Sequence, residues 1–146
     1  MAKNSAITVG DTVVNPGERA TVRLPVADLY TGTSLAMPVH VVCGRRDGPV
    51  LFVSAAIHGD ELNGVEIIRR LLKRKALSSM RGTLLAVPIV NVHGFLDQSR
   101  YLPDRRDLNR SFPGSRKGSV AARMAHTFMH EIVEKADFGI DLHTGA

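Results

Sequence analysis

The stretch Leu51-Phe-Val-Ser-Ala-Ala-Ile-His-Gly-Asp-Glu-Leu-Asn-Gly64 decides the fold. Residues 50–57 are apolar except for one serine and are bounded by glycine and proline, which predicts a buried strand of a sheet covered on both faces. From Glu61 onward the apolar residues recur with a helical period, so we expect a helix to about Ala76. His58 and Glu61 therefore stand at the carboxyl end of a strand, where open α/β sheets bind their ligands.

His58 and Glu61 together offer an imidazole nitrogen and a carboxylate oxygen to one cation. A catalytic zinc site needs three protein ligands, and two histidines with one glutamate are a known set. The missing histidine has a candidate in Phe138-Gly-Ile-Asp-Leu-His143, which also has the pattern of a short strand ending in histidine. In a parallel sheet both strands would end at the same edge. The simpler alternative is a turn with a carboxylate at a helix start, where negative charge complements the helix dipole.

Between these two motifs, residues 88–114 carry arginine and asparagine side chains suited to binding a carboxylate. Arginine offers a planar fork of donors, and an amide side chain both donates and accepts. The proline and glycine content predicts an ordered loop rather than a helix. For each arginine taken alone, a solvated basic loop is the alternative. The polar residues are Asn91, Arg100, Arg105, Arg106, Asn109 and Arg110.

Three motifs in this order resemble the signature of the zinc carboxypeptidase superfamily, particularly its succinylglutamate desuccinylase/aspartoacylase family. They are His58-Gly-Asp-Glu61, Asp107-Leu-Asn-Arg110 and Asp141-Leu-His143, and the resemblance runs from about Leu35 to the last residue. It implies one zinc ion per chain.

The resemblance also assigns roles to individual residues. It implies that the zinc ligands are His58, Glu61 and His143. Asn109 and Arg110 match the pair that binds the substrate carboxylate or polarises its carbonyl, and Arg100 resembles a catalytic arginine that polarises the scissile carbonyl. Asp107 is similar to a carboxylate that orients the first zinc histidine by fixing its tautomer.

The implied fold is α/β, a zinc-carboxypeptidase-like mixed sheet flanked by helices that is truncated after the third zinc ligand. We expect residues 1–34 to form an amino-terminal β extension and residues 35–146 the first part of the catalytic domain. Within the latter we predict a turn at residues 44–49, a strand at 83–89 and a helix from about Ser119 to Lys135. His126 and His130 lie one turn apart on this helix, but both fall off its apolar stripe, so we interpret them as facing solvent rather than as a metal site.

The function implied by the resemblance is hydrolysis of the amide bond of an N-acyl amino acid, with a metal-activated water attacking the carbonyl. Family members use a downstream glutamate as general base, whereas Glu66, Glu131 and Glu134 match no motif position. We therefore expect this chain to be the amino-terminal part of a longer enzyme. The alternatives are a metallocarboxypeptidase acting on peptides and a non-catalytic module that binds a metal or a carboxylate.

Composition narrows the choice of partners. The formal net charge is +5, but the basic residues are dispersed and only seven residues are aromatic, none of them tryptophan. This pattern argues against nucleic acid, since surfaces that stack bases interleave basic and aromatic residues, and it favours a small anionic substrate. The single residue Cys43 excludes a disulfide framework within the chain, and we expect it to be buried in a strand. No apolar run approaches the length of a membrane span, so we predict a cytoplasmic protein; whether it forms a homo-oligomer stays open.

Overall fold

The computed structural model describes residues 2–145 and builds them around one mixed sheet. The strands of the described residues are β1 (Ile7–Val9), β2 (Thr12–Val14), β3 (Arg19–Asp28), β4 (Ser34–Cys43), β5 (Arg46–Ala55), β6 (Arg81–Val87) and β7 (Phe138–Leu142). The α-helices are α1 (Asn63–Leu72), α2 (Val92–Asp97) and α3 (Val120–Glu131). Three short segments of the described residues, 75–79, 108–110 and 133–135, are 3-10 helices.

The large sheet has the strand order β3-β4-β6-β5-β7. Strand β4 is antiparallel to β3 and β6, whereas β5 is parallel to both β6 and β7. This confirms the predicted mixed sheet of an α/β fold. Strand β3, from the region predicted as an extension, pairs with β4 along most of its length. The small hairpin β1-β2 forms a separate sheet. The domain boundary at residue 34 stays a prediction.

Apolar side chains cover both faces of the sheet, as the nearly continuous apolar run of β5 predicts. On one face a core cluster includes Met124 and Phe128 of α3, with Phe52 of β5 packed against it. On the other face Val53 packs in a cluster with Ile68 of α1. Successive β5 residues therefore point to opposite cores, which fixes the register of the strand.

Several element boundaries differ from the sequence prediction. Helix α1 ends at Leu72, before the predicted Ala76, and a 3-10 turn follows it. Strand β5 begins at Arg46, inside the predicted turn, and β6 ends at Val87 rather than at residue 89. The prediction of a helix beginning near Ser119 is confirmed, and the Ser119 side chain accepts a hydrogen bond from the Ala122 amide.

The prediction that residues 88–114 form only a loop is wrong, because this segment contains helix α2. The Asn91 side chain accepts a hydrogen bond from the Gly94 amide and so caps the start of this helix. Such a cap satisfies a backbone donor that would otherwise be left without a partner. A six-residue helix is too short to show a helical period in the sequence. The proline and glycine content therefore led to the prediction of a loop.

Strand β7 fits against β5 because Gly139 lacks a side chain. Gly139 lies opposite Phe52 in the parallel register, and a Cβ atom at residue 139 would overlap the Phe52 ring. The ring is itself held edge-to-face by Phe128, with 5.8 Å between ring centroids. The two strands can therefore approach only where residue 139 is a glycine.

We predict that Gly139→Ala lowers the free energy of unfolding by about 1–3 kcal/mol, the usual cost of overpacking, because either the Phe52 ring or β7 must move. Urea denaturation of the two proteins measures the difference. Gly145→Ala is the matched control, since a Cβ there meets open space. Equal stability of the Gly139→Ala variant and the wild type would contradict this packing argument.

Candidate active site

Three side chains with metal-binding atoms converge at the carboxyl ends of β5 and β7. His58 and Glu61 are buried, with exposed fractions of 2% and 5%, and His143 is partly exposed. One ligand atom from each of the three lies within 4.8 Å of the others. His58 Nδ1 is 2.7 Å from Glu61 Oε1, and His143 Nδ1 is 3.2 Å from Glu61 Oε2. The fold therefore brings together the residues that the sequence separates by 82 positions.

The backbone around His58 is held firmly against the segment that follows β6. The Val90 amide donates to the Ala55 carbonyl at 3.1 Å, and the Asn91 amide donates to the Ala56 carbonyl at 2.9 Å. Ala56 has φ +51°, a left-handed conformation uncommon for a non-glycine residue, and so begins the turn that directs His58 into the site. Gly59 then packs so closely on the backbone of Gly94 that a Cβ at residue 59 would overlap it.

Asp107 holds the second ring nitrogen of His58. Its Oδ1 is 3.1 Å from His58 Nε2 and accepts a hydrogen bond from the Asn109 amide at 2.9 Å. Arg100 Nη2 donates to Oδ2 at 3.4 Å. Burial acts to raise the pKa of Asp107, but His58, the Asn109 amide and the charge of Arg100 outweigh it, so the pKa lies below its ordinary value. The carboxylate is thus ionised and leaves Nδ1 of His58 available to a metal.

Glu61 is kept ionised in spite of its burial. Desolvation acts to raise the pKa of its carboxyl, whereas the Thr144 amide, the hydrogen-bond contact with His58 and the electrostatic effect of His58 and His143 lower the pKa below the ordinary value. The Thr144 amide donates to Oε2 at 2.8 Å. A buried carboxylate held in its charged form is a suitable metal ligand.

The polar residues predicted to bind substrate differ in their distance from this cluster and in their exposure to solvent. Arg100 is closest, with Nη1 3.7 Å from Glu61 Oε1. Arg110 is 4.0 Å from Asp107, and its side chain is 85% exposed, so its guanidinium is open to a ligand. Asn109 is also exposed. Arg106 instead pairs with Asp104 at 3.8 Å, away from the cluster.

Asp141 and Ser54 contact the cluster although the sequence analysis gave them no role. Asp141 Oδ2 lies beside His143 Nε2, and Asp141 Oδ1 accepts a hydrogen bond from the Ser54 hydroxyl. The signals were present in the sequence. Asp141 belongs to one of the three motifs, and Ser54 is the polar residue that interrupts the apolar run of β5.

The two histidines of α3 have partners away from the cluster. His126 and His130 stack on α3 with 5.9 Å between ring centroids, and His130 Nδ1 pairs with Glu134. His130 is exposed as predicted, whereas His126 is only partly so, because its Nε2 accepts a hydrogen bond from Arg116.

Glu66 pairs with Arg69 and Arg70, and Glu131 pairs with Lys135. Within residues 2–145, His58, Glu61 and His143 are the one group of three metal-binding side chains close enough to share an ion. Cys43 is buried in β4, as expected.

Comparison with known proteins decides the family. Residues 47–146 match the model of the succinylglutamate desuccinylase/aspartoacylase catalytic domain. The chain belongs to this family. In the described part of this family member, no helix has the length and apolar character needed to cross a membrane.

Three named proteins are similar to the chain over most of its length. The chain is 32% identical over 124 residues to the N-alpha-acetyl-L-2,4-diaminobutyric acid deacetylase of Halomonas elongata, covering 84% of this chain and 36% of that protein. It resembles the product-bound ectoine utilization protein EutE (DoeB) of Ruegeria pomeroyi, at 30% identity and a TM-score of 0.81, over 99% of this chain and 44% of that one.

An aspartoacylase family protein of Mesorhizobium loti is 34% identical, with a TM-score of 0.77, over 88% of this chain and 41% of that chain. The chain thus spans less than half the length of these relatives.

If the cluster holds a metal ion, we predict that Gly59→Ala weakens its binding by about tenfold or more, because the overlapping atoms are backbone atoms of Gly94 and the loop carrying His58 must shift. Competition with a chelating dye measures the affinity. The Gly145→Ala variant again serves as the control, and circular dichroism verifies that both variants are folded. Wild-type affinity in Gly59→Ala would show that the close packing of this loop is not what positions His58.

Proposed function

We propose that this chain carries the metal centre of a zinc-dependent hydrolase that cleaves the amide bond of an N-acyl amino acid. The observation that supports the proposal most strongly is the convergence of His58, Glu61 and His143 at one edge of the sheet in a member of a deacylase family. The donor set fits zinc, since two imidazole nitrogens and one carboxylate are a known ligand combination.

The ligands would be Nδ1 of His58, Nδ1 of His143 and the Glu61 carboxylate. Both Nε2 atoms face a carboxylate, Asp107 in one case and Asp141 in the other, which leaves the Nδ1 atoms directed at Glu61. When bound, zinc supplies a Lewis acid that polarises a carbonyl and lowers the pKa of water to about 7.

Arginine and asparagine side chains would bind and orient the substrate. Arg100 lies at the cluster and would share the negative charge that develops on the carbonyl oxygen during attack. Arg110 and Asn109 are exposed beside it and would hold the carboxylate of the amino acid, for which the guanidinium fork is well shaped. The net charge of +5 is consistent with an anionic substrate.

The proposed substrate class is inferred from the name of a relative. The name of the Halomonas elongata relative specifies an acetylated amino acid, and we propose a small N-acyl amino acid for this family member as well. Glu66, Glu131 and Glu134 are paired with basic residues away from the cluster, so we assign none of them a part in proton transfer.

We predict about one zinc ion per chain in the wild type and none at stoichiometric level in His58→Ala, because two remaining ligands hold the ion poorly. Elemental analysis of the purified proteins measures the content. His130→Ala is the control, since this histidine lies on α3 and pairs with Glu134. Full zinc occupancy in His58→Ala would rule out the ligand assignment.

We predict that Arg110→Ala weakens binding of N-acetyl amino acids to the zinc-loaded chain by about 10- to 100-fold, the range expected for losing hydrogen bonds to a charged group. Isothermal titration measures the affinity, with acetylated dipeptides titrated in parallel to separate a deacylase from a peptidase. Arg106→Ala is the matched control, because this arginine pairs with Asp104 in the same loop. Equal losses in both variants would indicate a general charge effect instead of a carboxylate site.

A further inference from the structure

A buried hydroxyl and a carboxylate join β5 to β7 next to the metal-binding cluster. Ser54 has no exposed surface, although serine is more often found at the protein surface. The parallel register places it directly beside Asp141, and its hydroxyl donates to Asp141 Oδ1 at 2.7 Å. A buried hydroxyl needs a hydrogen-bond partner, and this carboxylate supplies it.

The second oxygen of Asp141 is directed at His143. Asp141 is in β7, and His143 directly follows the end of this strand. Asp141 Oδ2 is 2.5 Å from His143 Nε2. A neutral imidazole carries one N–H and one lone pair, so an N–H at Nε2 leaves the lone pair at Nδ1. That Nδ1 atom is the one that lies 3.2 Å from Glu61.

His58 also lies between two carboxylates, one of them from another part of the chain. Its Nε2 faces Asp107 at 3.1 Å and its Nδ1 faces Glu61 at 2.7 Å. Asp107 is fixed by the backbone amide of Asn109. Asp141 stands on a partly exposed strand, with an exposed side-chain fraction of 29%, and its Oδ1 is held by Ser54. The Ser54 hydroxyl thus holds Asp141 by a hydrogen bond, as the Asn109 amide holds Asp107.

We propose that Ser54 and Asp141 are positioning residues for His143, in which the Ser54 hydroxyl fixes Asp141 and Asp141 holds the Nε2–H of His143 so that Nδ1 faces the metal. The inference rests on the proposed function in that it treats His143 as a metal ligand. The pairing of β7 with β5 would thereby set both the orientation and the tautomer of the His143 imidazole.

If the role of Asp141 were only structural, it would be to attach β7 to β5. Asp137 also joins these two strands and can serve as the matched comparison. Asp137 Oδ2 accepts a hydrogen bond from the Val50 amide at 2.8 Å, and the Asp137 amide donates to the Val50 carbonyl. These bonds join the same two strands at their opposite end, away from His143. Asp137→Ala removes this acceptor and therefore tests strand attachment without disturbing the histidine.

The first measurement is zinc affinity by chelator competition. We expect Asp141→Ala to bind zinc about 10- to 100-fold more weakly than the wild type, which is typical of losing a carboxylate behind a metal-bound histidine. Ser54→Ala should lose about 2- to 10-fold, as expected for one hydrogen bond, and Asp137→Ala should bind like the wild type. Wild-type affinity in Asp141→Ala, or an equal loss in Asp137→Ala, would overturn the proposal.

The second measurement reads the tautomer directly and needs no metal. Long-range ¹H–¹⁵N correlation spectra of ¹⁵N-histidine-labelled protein, recorded where the imidazoles are neutral, should show His143 with its proton on Nε2. Asp141→Ala and Ser54→Ala should shift it toward a mixture of tautomers, whereas Asp137→Ala should not. A proton on Nδ1 in the wild type would overturn the proposed positioning of His143. If the wild type bound no zinc, the proposed metal centre would fail, and these spectra would still test the positioning of His143.

Discussion

The parallel pairing of β7 with β5 is the constraint on which the site depends. Parallel strands end at the same edge of a sheet, so the pairing brings His143 and the Thr144 amide to Glu61. It also places Asp141 beside Ser54. Each of these contacts joins residues more than 80 positions apart in the chain. The close approach of the strands in turn requires a glycine beneath the Phe52 ring.

The cluster combines several charges that would be costly to bury separately. Glu61, Asp107 and Asp141 surround two histidines, and Arg100 lies within 4 Å of the first two carboxylates. Buried charges are tolerated when they are paired and hydrogen-bonded, and here each carboxylate has such partners. One arginine offsets only part of the negative charge of three carboxylates. A divalent cation is thus electrostatically suited to this position, which agrees with the donor set.

The sequence predicted strands β5 and β7 because they have local patterns, and it singled out three side chains that the fold brings together. Apolar runs bounded by glycine or proline marked β5 and β7, and histidines at their ends marked the site. The position of β6 between β4 and β5 depends on long-range packing and left no local signal. Helix α2 was missed because its stability comes from the Asn91 cap and from packing rather than from a period. The contacts of Arg100 with two carboxylates likewise depend on loop geometry that residue types alone do not specify.

The pairing of β7 with β5 links folding to metal binding. A cation bound by His58 and His143 would act as a cross-link closing a loop of 85 positions. Because the unfolded chain has no such site, the binding energy would add to stability, by about 2.7 kcal/mol at a metal concentration 100 times the dissociation constant. Separation of β7 from β5 and release of the cation would then be a single equilibrium, and the supply of metal would set how often the two strands part.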